Sequence, residues 1–249
     1  MDGLYVGPMP LDEFIADFLP PAEISRPDLP VNLFRLNGMP APEEHKHEKE
    51  MYKPFIDIVH SNNLAPNFKI VDTSNYFDIT TEEGYKIKPD PTMYHDTVET
   101  SSKDKVMQWE KMELHFEFKF KLIDDAFNEH EIGTPLADRS LEANTKAGSG
   151  TRSQHVHHVT KYCSRQNRCS SFTILANYVC FIRWDRSGAV VSERFAFHNE
   201  YRSLMECLWR FSRLQEGDLD RYPTLRLAEP LEIQPAEETL SKWKLGSLN

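Results

Sequence analysis

One stretch narrows the folds open to this chain more than any other. From Met112 to Leu122, apolar Met112, Leu114, Phe116, Phe118, Phe120 and Leu122 alternate with Glu113, His115, Glu117, Lys119 and Lys121. Strict period two predicts a β-strand over 111–122 with one buried face. The opposite face then carries His115, Glu117 and Lys119 in a row.

The surrounding sequence predicts a mixed α/β domain. Residues 1–42 hold eight of the sixteen prolines and read as an N-terminal arm. Within it, 11–19 has apolar residues at helical spacing before Pro20-Pro21 stops the helix. This short docking helix would pack on its own domain or on a partner. Residues 43–60 are expected to be helical, with Met51, Phe55, Ile58 and Val59 as the stripe and a kink at Pro54. Strands are expected at 68–71 and 85–94, the second confined to an edge or a bulge by Pro89 and Pro91. A polar loop at 95–108 precedes the alternating strand. A long, partly disordered loop is expected at 124–150, then a helix at 152–167 with Val156, Val159 and Cys163 on one side. A hairpin follows from 172–176 and 179–184, then a turn at Asp185–Gly188, a strand at 189–191 and a helix at 200–214. The expected organisation is arm 1–42, one α/β domain 43–214, and a C-terminal extension 215–249.

With 249 residues, 39% of them hydrophobic, the chain can bury one sizeable core. Its net charge of −10 argues against a broad non-specific grip on nucleic acid, though not against a local basic patch. Four cysteines without a Cys-x-x-Cys pair read as reduced thiols. An acidic N-terminus unlike a signal peptide, and no apolar run long enough for a bilayer, predict an intracellular protein, cytoplasmic or nuclear, with no membrane partner.

Chemistry concentrates around the alternating strand. Asp90 lies upstream in Lys88-Pro89-Asp90, and Gln154 lies downstream on the expected helix. Carboxylates from neighbouring strands, Asp90 and Glu117, are the hard oxygen ligands that Mg²⁺ takes. The Phe118 carbonyl would add a ligand, and an acid from the first helix, Glu50 or Glu48, another. Such a cation polarises a phosphodiester and activates water. Lys119, two residues from Glu117, would position that water or steady the developing charge, and Gln154 would orient a ligand. The competing account of Glu-x-Lys is a solvated ion pair on an amphipathic strand. This order of Pro-Asp, Glu-x-Lys and helical Gln resembles the PD-(D/E)xK nuclease fold. The resemblance implies a restriction-endonuclease-like core of order α-β-β-β-α-β, followed here by a β-hairpin and a C-terminal helix. Such folds often carry Tyr four residues after the Gln; here that position is His158.

Other candidates carry less. His155, His157 and His158 near Cys163 and Cys169 match no closed zinc spacing and are expected on a helix surface. Gly148-Ser149-Gly150-Thr151 lacks the lysine of a phosphate loop. Cys163 is expected to be packed rather than nucleophilic.

The most distinctive string is Ile182-Arg183-Trp184-Asp185-Arg186-Ser187-Gly188-Ala189-Val190-Val191-Ser192-Glu193-Arg194-Phe195. One account is a well-specified hairpin turn; another is a docking surface formed by Arg183, Trp184, Asp185 and Arg186. The string resembles the fungal-type protein kinase family. Met9-Pro10-Leu11, Met51-Tyr52, Val71-Asp72-Thr73-Ser74, Met112-Glu113-Leu114 and Leu208-Trp209-Arg210-Phe211 agree. The resemblance implies a fungal source and the region preceding the kinase lobes. No glycine-rich nucleotide loop, His-Arg-Asp or Asp-Phe-Gly is present, so no kinase activity is expected from this chain. Two functions follow as expectations: an accessory or regulatory domain, docking a kinase domain or another protein through the 182–195 hairpin, or a Mg²⁺-dependent nuclease.

Overall fold

The alternating strand lies inside a sheet that is covered on both faces. The computed structural model describes residues 5–19, 21, 23–28, 47–78, 89–100, 105–119, 124–128, 140–166, 171–176, 178–185, 187–196, 201–214 and 235. In chain order the elements are β1 (Tyr5–Met9), α1 (Leu11–Phe18), α2 (Lys49–Ser61), β2 (Phe68–Val71), β3 (Thr92–His95), a 3₁₀ turn (Trp109–Lys111), β4 (Met112–Phe118), α3 (Lys146–Gln166), β5 (Ser171–Ala176), β6 (Tyr178–Trp184), β7 (Ala189–Ser192), β8 (Phe195–Ala196) and α4 (Tyr201–Phe211).

Seven strands form a mixed sheet in the order β1-β7-β6-β5-β4-β3-β2, with β8 paired to β6. β2, β3 and β4 are an antiparallel meander. β5 then lies parallel to β4, with Glu117 opposite Leu175. A parallel neighbour requires a crossover, and α3 supplies it. β5, β6 and β7 continue antiparallel. The architecture is therefore α+β, a mixed sheet between helices.

Beyond the register shift at the start of β4, residue parity assigns the side chains of the central strands to one helix layer or the other. Phe116 and Phe118 of β4 and Val179 and Phe181 of β6 join Phe55 of α2 and Leu204 of α4 in the largest apolar cluster. Cys180, Ile182 and Trp184 point the other way and pack with Tyr5, Phe127 and Val159 of α3. A third cluster joins Tyr162 of α3 to Tyr94, Trp109 and Met112. β4 has a neighbour on each edge and helices over both faces, so all seven of its residues are buried. This corrects the expectation of one solvated face: α3 covers the polar side. The strand described is 112–118; Phe120 to Leu122 lie outside the described residues.

The proline-rich arm contributes to the core. β1 pairs parallel with β7. Phe14, Ile15 and Leu19 are buried in the largest cluster. A side chain at Gly7 would run into the Val191 carbonyl oxygen, so glycine permits the close approach of the two strands.

Two boundaries move. The segment 85–94 yields a strand only over 92–95; residues 85–88, Lys88 among them, lie outside the described residues. The helix expected from 152 starts at Lys146, inside the stretch expected to be loop. Thr145 caps it, its Oγ1 accepting the Gly148 N–H at 2.9 Å. Arg152 ties the preceding segment down through Nη1, which donates to the Ala126 and Ala143 carbonyls at 2.8 Å each. Glycines suggested a loop, yet Gly148 is needed by the packing: a Cβ there would lie 2.6 Å from the Asp125 carbonyl oxygen.

Candidate metal and catalytic centre

Asp90 sits between two prolines where the chain enters β3. Neither Pro89 nor Pro91 has an N–H to give to the ladder. The Pro91 carbonyl still accepts the Phe116 N–H at 2.9 Å. Two residues on, the Asp90 side chain takes the next inward-facing donor: Oδ2 accepts the Phe118 N–H at 2.7 Å. Oδ1 accepts the hydroxyl of Tyr52 from α2. Thr73 fixes the backbone, donating to the Asp90 carbonyl at 2.5 Å. The Pro-Asp-Pro segment thus locks this carboxylate to the end of β4.

Glu117 points from β4 toward α3 and is fully buried. Its Oε1 accepts from Lys119 Nζ at 2.5 Å. Lys119 reaches on to Oε1 of Gln154 at 3.3 Å. Asp90, Glu117, Lys119 and Gln154 are therefore brought into one region, the last three as a connected chain. The Glu-x-Lys pair is not the solvated pair of an amphipathic surface: the Lys119 side chain is 14% exposed and that of Glu117 is 0%.

The electrostatics identify the helix acid. Burial pushes the Glu117 carboxyl upward, and the Asp90 charge adds to the rise against the opposing pull of Lys119. Burial also raises Asp90, opposed by Tyr52, Lys119 and the Phe118 N–H. Burial would lower Lys119, but Glu117, Glu48 and Asp90 outweigh it and hold the ammonium charged. Glu48, just before α2, acts on all three groups. Glu50, expected as a ligand, is exposed on α2 and is not among these influences.

The groups gathered here are oxygen donors, the kind a hard divalent cation takes. Two buried carboxyl groups, with Glu48 beside them, face the single ammonium of Lys119. Glu117 Oε2 is buried and has no hydrogen-bond partner among the described residues. Asp90, Glu117 and Glu48 would hold the ion, with Lys119 and Gln154 at its margin. Among the described residues, no group of three or more His, Cys, Asp or Glu is placed, as it stands, to hold a metal ion.

Sequence reasoning missed two parts of the centre. Tyr52 was read only as part of a family string, because a tyrosine on an apolar helix face carries no sign of a buried hydroxyl partner. His155 and His158 were expected on the helix surface; both are fully buried and face the sheet. Their spacing of three, matching the parity of His115 on β4, was the available signal. His158, at the position four after Gln154, lies with Nδ1 3.6 Å from Glu117 Oε2. Among the three, only His157 is exposed.

The docking residues separate. Trp184 turns inward, its ring 5.4 Å from that of Tyr5. Arg183 lies over the Phe18 ring at 4.9 Å and pairs with Asp185 at 3.2 Å. Asp185 Oδ1 accepts from the Ser187 N–H and hydroxyl, each at 2.7 Å, which closes the turn. Arg186 lies outside the described residues. A cleft of about 300 Å³ lined by Tyr5, Ser149, Ser153, Val156, His157 and Thr160 opens on the outer side of α3, away from Glu117.

No helix among the described residues is long and apolar enough to cross a membrane. No family model matches the chain, and neither does any curated protein or solved structure.

Proposed function

We propose that this chain carries a PD-(D/E)xK-like core whose centre cleaves phosphodiesters with a divalent cation. The single observation behind this reading is the Glu117–Lys119–Gln154 chain beside Asp90. The succession α2-β2-β3-β4-α3-β5, with β5 parallel to β4, supports a restriction-endonuclease-like arrangement.

Each residue has work to do in such a reaction. Asp90 and Glu117 supply negative oxygens from adjacent strands, and Glu48 adds charge from the helix side. The cation, when bound, supplies Lewis-acid charge to the phosphodiester. Lys119, held charged by its acidic neighbours, orients the attacking water and balances charge developing on phosphate. Gln154 fixes the Lys119 ammonium from the opposite layer. Tyr52 and the Phe118 N–H keep Asp90 in one orientation.

A second reading is favoured by how fully the carboxylates are engaged within the protein. Both Asp90 oxygens and one of Glu117 already accept hydrogen bonds. A centre of this kind also serves as a structural core. The chain would then be an accessory domain of a fungal-type protein kinase family protein, docking through the Asp185 turn.

The test is cleavage of single- and double-stranded nucleic acid with Mg²⁺ or Mn²⁺ by wild type and Lys119→Ala. Loss of metal-dependent cleavage by about 10²-fold or more in the variant is expected. Equal activity in both proteins, or none in either, removes the nuclease reading and leaves the accessory one.

A further inference from the structure

Next to the carboxylates, three histidines are packed into the space between β4 and α3. His115 shares a strand face with Glu117, and His155 and His158 lie one helical turn apart on the facing helix. All three are at most 1% exposed. None of the four ring nitrogens of His155 and His158 has a hydrogen-bond partner among the described residues, and neither does Glu117 Oε2 beside them. A buried imidazole ordinarily has its nitrogens satisfied by a protein group, a water or a metal. Five orphaned polar atoms in one buried region point to a missing occupant.

We propose that His115, His155, His158 and Glu117 bind a divalent transition metal of the zinc class. The spacing of His115 from each of the other two rings is what such an ion needs. Zinc lies about 2.0–2.1 Å from an imidazole nitrogen, so the centres of two ligating rings stand roughly 5.3 Å apart at a tetrahedral angle and up to about 6.5 Å at wider ones. The His115 and His158 centres are 5.4 Å apart, and those of His115 and His155 are 6.2 Å apart. The nitrogens do not yet converge on one point. Binding would turn the rings about their Cβ–Cγ bonds to bring the nitrogens together. Glu117 Oε2, 3.6 Å from His158 Nδ1, completes an N₃O donor set. Imidazole and carboxylate ligands suit Zn²⁺, Co²⁺ or Fe²⁺, whereas the Asp90 side offers oxygen alone and suits Mg²⁺.

This site does not depend on the nuclease reading, since zinc is bound whether or not phosphodiesters are cleaved. Purified full-length protein, stripped with chelator, is titrated with Zn²⁺ by calorimetry and with Co²⁺ by visible absorption. One equivalent per chain is expected, with a d–d band of histidine-ligated cobalt. His155→Ala and His158→Ala should each weaken binding roughly 100-fold or more. His157→Ala, one residue away and exposed, should leave it unchanged. Absence of the cobalt band in folded wild type, or equal binding by His155→Ala, overturns the proposal. If the alanine variants fail to fold, the wild-type spectrum alone decides: histidine-type absorption upholds the site and its absence ends it.

Discussion

Glu117 illustrates how burial sets a residue's chemistry. Its ordinary value is 4.5, and burial with the Asp90 charge raises it to about 8. A carboxyl raised on folding stabilises the protein fully below its ordinary value, and that contribution is lost as pH rises through the folded value. Metal-free protein should therefore weaken between about pH 5 and pH 8. In urea unfolding, Glu117→Gln should flatten this slope by about 1–3 kcal/mol across the window. A variant with the wild-type slope would show that the glutamate is not the group titrating. Bound Mg²⁺ should oppose the trend, because it favours the ionised form. Stabilisation by millimolar Mg²⁺ should thus grow from pH 5.5 to pH 8, and thermal melts with and without the ion measure it.

At the scale of single elements, α3 decides how the centre is closed. It spans Lys146–Gln166 and presents Gln154, His155 and His158 to β4. Its first turn allows a paired test. Alanine at Gly150 meets nothing within 4 Å, whereas at Gly148 it meets the Asp125 carbonyl. Gly150→Ala should stabilise the protein by about 0.5–1 kcal/mol, and Gly148→Ala should destabilise it by about 1–3 kcal/mol. Equal effects in chemical denaturation would mean that the 124–128 segment does not press on the helix. The same helix shows what a linear pattern conveys. The period-two run of β4, the stripe Met51–Phe55–Ile58–Val59 and the turn residues Asp185–Gly188 were legible, because local periodicity and turn chemistry dictated them. Asp90, Glu117, Lys119 and Gln154 were legible as an ordered series. The burial of His155 and His158 was not, because only the long crossover shows which side of α3 meets the sheet. Glycines hid the start of α3, since the reason for Gly148 lies some twenty residues away in sequence.

For the molecule as a whole, sheet order matters most. The arm is tied to the rest through Phe14, which has no exposed surface and lies 6.0 Å from the Phe181 ring. Phe14→Ala should cost about 3–5 kcal/mol in a single unfolding transition. A cost below about 1 kcal/mol, or a separate early transition, would make the arm an appendage. The pairing of β1 with β7 has a further consequence during synthesis. Tyr5–Met9 leaves the ribosome some 180 residues before its pairing partner Ala189–Ser192. Until then the nascent strand lacks the edge it joins, and any chaperone that shields it must let go only when Ala189–Ser192 arrives.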